Sequence, residues 1–466
     1  MNSMKLLTPL FVASSVFILS AQNPPQPPPT APPQGQQPSA IGVLISGRDD
    51  GAPPKMAVPE FIPLGKEPEV IAAAKSIADV LWDDLAYEKE FYMLPRDILR
   101  TVPTPASVEA VSMDRWKELG AEGLVVGTVR KTADGVVVEA RLLRVVNGAM
   151  TLGKQYTGSA RSLADGGRVY AHGIADEIHK QQRNLRGVAR TKLAFSSDRD
   201  GARMKGPVAE RDVSNIYMAD YDGANQTRLT ATRSLDIAPA WSPDGDSLAY
   251  TSYRSGYPDI ILQSIRSLRP PTYPAKGSLE NHNFLPAWSP DGTKLAFMSN
   301  RDGNPEIYVV NRDGSNLRRV TNHPSADVTP TWSPTGTQLA FTSDRSGRPQ
   351  VYIVNLDGTG LDRISGESYC DRATWSPAPL NEIAYASQAG GGYEIRIFSF
   401  GTRESRAVTD GIGSNESPAF APNGRHLAFM SDRTGRPQIY TIARDGTDLR
   451  QITKQPGGNR YPNWSQ

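Results

Sequence analysis

Residues 286–321 read PAWSPDGTKLAFMSNRDGNPEIYVVNRDGSNLRRVT, and the chain rewrites this stretch several times. The aromatic that opens it recurs at Trp241, Trp288, Trp332, Trp375, Phe420 and Trp464, at successive intervals of 47, 44, 43, 45 and 44 residues. Within one copy, four short β-rich runs (PAWS, KLAFMS, EIYVV, LRRVT) alternate with Pro-Asp-Gly, Arg-Asp-Gly and Asp-Gly turns. Pro presets φ for a turn and Gly accepts positive φ, so the punctuation has a mechanical cause. A four-stranded unit of this length predicts a propeller blade, and the repeats lack the 3.6-residue periodicity that a helical solenoid requires.

The second run returns at Leu193, Leu248, Leu295, Leu339, Ile383 and Leu427, which counts six blades. The repeat region begins at Lys192 with a second strand, whereas an unmatched first strand, YPNWS, stands at the end of the sequence. Blade one is therefore expected to close with three N-terminal strands and one C-terminal strand, which removes an open sheet edge. The repeated aromatics are expected to pack between blades, and the Ser-x-Arg sites at the second-strand ends (Arg199, Arg254, Arg301, Arg345, Arg433) to fix turns. Blade five lacks that Arg between Ser387 and Gly392.

Upstream, Met1 to Ala21 reads as a secretory signal peptide, with an apolar core too short for a membrane anchor. Residues 22–39 form a Pro- and Gln-rich tether. Ile41, Gly42, Val43, Leu44, Ile45 and Ser46 form an isolated apolar run, followed by Gly47-Arg-Asp-Asp-Gly. By pattern it is either an ordinary strand of the next domain, the preferred reading, or a detachable one that pairs with a partner's sheet edge. A strand over 55–64, an amphipathic helix over 67–88, two hairpins turning at Asp134-Gly135 and Asn147-Gly148, and a second helix over 162–182 complete a small α/β domain. The expected organisation is thus 1–21 signal peptide, 22–39 tether, 40–187 α/β N-terminal domain and 188–466 six-bladed β-propeller closed by the C-terminal strand.

A formal charge of +2 over 466 residues points away from nucleic acid. Cys370 is the only cysteine, so no disulfide forms within the chain, and it is expected to be a small buried residue. His172 and His179 are expected in surface or packing roles. The sequence contains no GxSxG, glycine-rich phosphate loop, HExxH or CxxC motif, so no catalytic residue and no metal or cofactor is assigned.

What varies between blades lies just before each first-strand aromatic, at one mouth of the channel. Five positions before it stand Asp236, Asn283, Asp327, Cys370, Asn415 and Asn459, a column expected to cap turns. The next column, Ile237, Phe284, Val328, Asp371, Glu416 and Arg460, mixes apolar and charged groups as a protein-binding patch does. An alternative use of the mouth is a channel cation such as Ca²⁺ held by Asp236, Asp327, Asp371 and Glu416, in a secreted propeller enzyme.

The PxWSPDGxxLAF repeats, their count of six, Trp116-Lys-Glu-Leu-Gly followed by LVVG, the AHxxADE run at Ala171 to Glu177 and Asp220-Tyr-Asp-Gly-Ala-Asn-Gln together resemble the TolB family, periplasmic components of the Tol-Pal envelope system. The resemblance implies a non-enzymatic, monomeric periplasmic protein that supports outer-membrane integrity and cell division, without membrane insertion. It implies two protein partners, the lipoprotein Pal at the propeller mouth and TolA at an N-terminal strand. By matching motif, His282 would line the Pal-facing mouth with Leu285 and Val328 nearby, joined by Asn283, Phe284, Ile237, Asp371, Glu416 and Arg460. Ile41 to Gly47 would be the TolA-directed strand, which favours the detachable reading of that run.

Overall fold

The computed structural model describes residues 52–159, 161–202, 213–267 and 269–466. The signal peptide, the tether and Ile41 to Gly47 lie outside the described residues.

The N-terminal domain is a mixed sheet covered by two long helices. β1 (Lys55–Ala57) and β2 (Ile62–Pro63) replace the single strand expected over 55–64, and both pair in parallel with β4 (Gly123–Thr132). The division falls on Val58 to Phe61, where Pro59 lacks the N–H a ladder needs. β4, β5 (Gly135–Arg144) and β6 (Ala149–Gly158) form the antiparallel meander that the Asp-Gly and Asn-Gly turns dictate. β3 (Tyr92–Met93) completes the sheet beyond β1.

α1 (Pro68–Tyr87) starts with Pro in its first turn and buries Val70, Ala74, Ile77, Ala78, Leu81 and Leu85 against this sheet. Ile71, which the helical periodicity places on the same stripe, is instead 50% exposed. The second helical run is split into Arg161–Ala164 and α2 (Arg168–Arg183), because Gly166 and Gly167 both adopt positive φ. α2 packs on α1 through Tyr170, Ala171, Ile174 and Ile178.

From Lys192 onward the chain forms six antiparallel sheets arranged as a propeller. In blade three, Asn283–Trp288, Lys294–Ser299, Glu306–Asn311 and Arg318–Arg319 pair in sequence order. The Pro-Asp-Gly turn is held by Asp291, which accepts from the Thr293 N–H at 3.0 Å, while Ser289 Oγ accepts from the Lys294 N–H at 2.9 Å. Blade two keeps only three strands and replaces the fourth by an isolated bridge between Leu262 and Thr272, where Pro270 and Pro271 interrupt the ladder. Blade one closes as its strand order requires: Asn459–Trp464 pairs antiparallel with Lys192–Ser197. Trp464 Nε1 donates to Thr191 Oγ1 at 2.7 Å, fastening the seam.

The repeated aromatics do pack between blades. Trp288 lies among Ala240, Ala249, Ile260 and Leu262 of blade two and donates from Nε1 to the Ala240 carbonyl at 3.2 Å. Trp332 repeats that bond to the Ala287 carbonyl at 3.0 Å.

Candidate functional site

Each first strand is six residues long and begins at the Asp/Asn column, so both mouth columns belong to the strand itself. Every one carries a bulge at the same place, after its second residue. The third residue adopts positive φ in all six: Ala238, Leu285, Thr329, Arg372, Ser417 and Tyr461 fall between 51° and 56°. A left-handed non-Gly residue costs roughly 1–3 kcal/mol, and six of them mark a deliberate feature of the fold. The bulge re-aims these side chains, and all six line the central channel, a cavity of about 540 Å³. Second-strand hydroxyls of the preceding blade support the bulges: Ser196 Oγ accepts from the Ala238 N–H at 3.1 Å, and Thr251 Oγ1 from the Leu285 N–H at 2.9 Å.

The Asp/Asn column lies behind that ring. Asp236, Asn283, Asp327, Asn415 and Asn459 have no exposed surface. In blade four, Arg345 donates from Nη2 to Asp327 Oδ1 and Oδ2 at 2.9 and 2.7 Å, and from Nε to Ser343 Oγ at 2.9 Å. Arg301 repeats the pattern with Asn283 and Ser299, Arg433 with Asn415 and Ser431, and Arg199 with Asn459 and Ser197. The Ser-x-Arg sites are therefore structural, each tying a second strand to the start of a first strand. Asn283, placed above at the mouth surface, is instead fully buried, hydrogen-bonded to Arg301 and Asp259. Blade five has no Arg to engage, and Cys370 fills the place of Asp/Asn, fully buried with Sγ 3.8 Å from Ser387 Oγ.

The carboxylates of this column are engaged within the protein. Asp327 is turned onto Arg345, and Asp236 accepts from the hydroxyls of Ser252 and Thr232, with Arg254 at 3.7 Å. Neither is aimed at a channel ion with Asp371 and Glu416. Among the described residues no group of three or more metal-ligating side chains comes together.

The next column immediately precedes the left-handed ring in each strand, and its chemistry differs from blade to blade. Ile237, Phe284 and Val328 are partly buried and apolar, with Leu285 below Phe284. Phe284 stands edge-on to Tyr253 and His282, at 6.2 and 6.3 Å between ring centres. His282 is partly exposed, with its Nε2 3.1 Å from the Leu279 carbonyl, and its backbone N–H donates to Asn300 Oδ1 at 2.7 Å. Across the channel stand Asp371, Arg372, Glu416, Arg460 and Tyr461. Asp371 is buried and accepts from Thr342 Oγ1 at 2.9 Å. Burial pushes the Glu416 carboxyl up, against a hydrogen bond from Ser414 Oγ at 2.9 Å that favours its charged form. Arg460 donates to Asp198 at 3.1 Å. The left-handed ring went unassigned as a set in the sequence, although its signal is present: five of the six positions immediately precede a Pro.

The N-terminal domain docks at the opposite end of the channel. Glu88, just past α1, accepts from Asn423 Nδ2 of blade six at 3.0 and 3.1 Å and from the Val188 N–H at 3.1 Å. Burial raises Glu88 to about 7. Tyr87 stacks on His426 of blade six at 4.1 Å. Asp84 of α1 accepts from Tyr221 OH of blade one and lies 2.8 Å from His172 Nδ1, and the other nitrogen of His172 is 3.7 Å from Asp220. Burial alone would lower His172, but the carboxylates of Asp220 and Asp84 outweigh it and raise the imidazole to about 9. His172 thus belongs to a buried interdomain ion-pair cluster, and His179 is buried beside Phe91.

Comparison with known proteins agrees with this architecture. Residues 183–466 match the TolB beta propeller domain and residues 43–151 the TolB amino-terminal domain. The Tol-Pal system protein TolB of Bordetella pertussis is 32% identical over 394 residues, covering 84% of each chain. That of Desulfosudis oleivorans is 34% identical over 225 residues, a match spanning 48% of each, about half the relative's length. The crystal structure of TolB from Acinetobacter baumannii superposes with a TM-score of 0.71 at 24% identity, over 88% of this chain and 96% of that one, and shares its fold. With both domains matched and the Bordetella relative aligned along most of its length, the chain belongs to the TolB family.

Proposed function

We propose that this protein acts in the periplasm as a non-enzymatic component of the Tol-Pal system, a connector between envelope proteins. The propeller mouth remote from the N-terminal domain receives a Pal-like lipoprotein, and Ile41 to Gly47 supplies a strand to a TolA-like inner-membrane protein. Through these two contacts it supports outer-membrane integrity and constriction at division. The observation that supports this most is the uneven mouth: an apolar side built on Phe284, Ile237, Val328 and Leu285 faces a charged side built on Asp371, Glu416 and Arg460. Apolar surface set beside charged groups is the mixed composition of a protein-binding patch. The names of the relatives place TolB in the Tol-Pal system.

The test is capture from an envelope extract with purified protein, beside a Phe284→Asp, Val328→Asp double variant. A peptidoglycan-associated lipoprotein recovered by the wild type alone supports the reading. Equal recovery by both moves the contact away from this mouth, and recovery by neither removes the Pal assignment.

A further inference from the structure

Of the six left-handed positions that aim side chains into the channel, five carry Ala238, Leu285, Thr329, Ser417 and Tyr461, and only the sixth, Arg372, carries a charge. Its guanidinium carbon lies 4.6 Å from the centre of the Tyr461 ring, within cation–π reach. Its Nε is 3.8 Å from Asp371 Oδ2, too long for a hydrogen bond. Among the described residues the guanidinium donates no hydrogen bond to the protein, although its side chain is only 14% exposed. The five Ser-x-Arg arginines, by contrast, all find acceptors.

The neighbouring carboxylates lend Arg372 charge, Asp371 through a 3.8 Å ion pair, but neither accepts a hydrogen bond from it. Asp371 Oδ1 accepts from Thr342 Oγ1, from Thr329 Oγ1 at 3.2 Å and from the Arg372 N–H at 2.6 Å. Glu416 is bonded to Ser414, and burial disfavours its charged form. A guanidinium presents parallel N–H donors whose spacing matches the two oxygens of a carboxylate. In the channel of this protein that fork is largely desolvated and its hydrogen-bond donors are unused.

We propose that Arg372 receives the side-chain carboxylate of an Asp or Glu that the docking partner inserts into the channel mouth, while the partner's adjoining apolar surface rests on Phe284 and Val328. This rests on the reading of the mouth as the seat of a Pal-like lipoprotein. It adds the chemistry by which the partner is selected: one acid, read in a bidentate manner, beside an apolar contact. The neutral side chains at the five other ring positions leave a single charged contact at this level of the channel.

The experiment measures binding of the fluorescently labelled soluble domain of the Pal-like lipoprotein from the same organism. The proteins compared are the wild type and the variants Arg372→Ala, Arg372→Lys, Arg372→Glu and Phe284→Asp. Ala tolerates this backbone, as Ala238 shows at the equivalent position of blade two, and unchanged melting curves verify each fold. Arg372→Ala is expected to weaken binding about tenfold or more, Arg372→Glu further, and Arg372→Lys less, since a point charge replaces the fork. Replacing the partner's acids one at a time by amides should reveal one position whose loss has no effect on Arg372→Ala. Wild-type binding lost in Phe284→Asp but unchanged in Arg372→Ala and Arg372→Glu overturns the carboxylate reading and leaves the mouth as the site. Weakened binding by Arg372→Ala with no coupled acid in the partner also overturns it. No binding by the wild type fails the Pal-like reading itself.

Discussion

The Tyr221 hydroxyl, on blade one of the propeller, donates to Asp84 Oδ1, on the long helix of the N-terminal domain, at 2.7 Å, in a place where both residues are almost fully buried. This bond crosses the boundary between the domains. Tyr221→Phe keeps the ring and its packing on Tyr87 but strips a donor from a buried carboxylate. A loss of about 1–3 kcal/mol is expected, measured by urea unfolding.

Beside that bond, His172 titrates from 6.5 in the unfolded chain to about 9 in the folded one. Its contribution is complete below pH 6.5 and is lost as pH rises through 9, amounting to about 3 kcal/mol. Glu88, raised from 4.5 to about 7, has the same sign in a lower window, from 4.5 to 7. Unfolding free energy should therefore fall between pH 6.5 and 9, and His172→Gln should flatten that window while leaving the one below it.

In blade four, Arg345→Ala strands the Asp327 carboxylate without its cation and should cost about 3–5 kcal/mol. Asp327→Asn should cost under about 1 kcal/mol, since blades three and six hold the same arginine on Asn283 and Asn415. Equal destabilisation by both variants, in chemical denaturation, would contradict this account of the Ser-x-Arg sites.

Blade five makes the reciprocal case. Without an arginine, Cys370→Asn would bury an amide that lacks the partner its counterparts have, at a cost of about 1–3 kcal/mol. The thiol itself, pushed up to about 12 by burial, should react with iodoacetamide only after denaturation. Modification of the native protein at a rate near that of a free thiol would show that the site opens.

The blades were legible because each repeats the same turn chemistry, so that Pro, Asp and Gly recur where the chain reverses. The meander β4 to β6 was legible for the same reason. The mouth was legible only in part. Asn283 and Phe284 are adjacent in sequence, and periodicity alone places both near the rim. Burial separates them, because successive strand residues point to opposite faces, which turns Asn283 toward Arg301. His172 shows the opposite limit. Its helix position was evident, but its partners Asp84 and Asp220 lie far away in the chain, and no local pattern joins them. Cys370 and the missing arginine of blade five were both noted, and only their adjacency in space shows that one absence explains the other.

The seam of blade one joins residues 273 apart, from Lys192 to Ser465. A contact of that separation carries the entropy of closing nearly the whole propeller into a loop, and nothing local compensates for it in advance. Synthesis proceeds from the N-terminus, so blades two to six can pair while Lys192–Ser197 still waits for its neighbour. The ring therefore has a last step in time as well as a last strand in space. Until it is taken, the edge at Leu193 stays open to any other extended chain, which makes the interval before completion the moment of greatest exposure to misassembly.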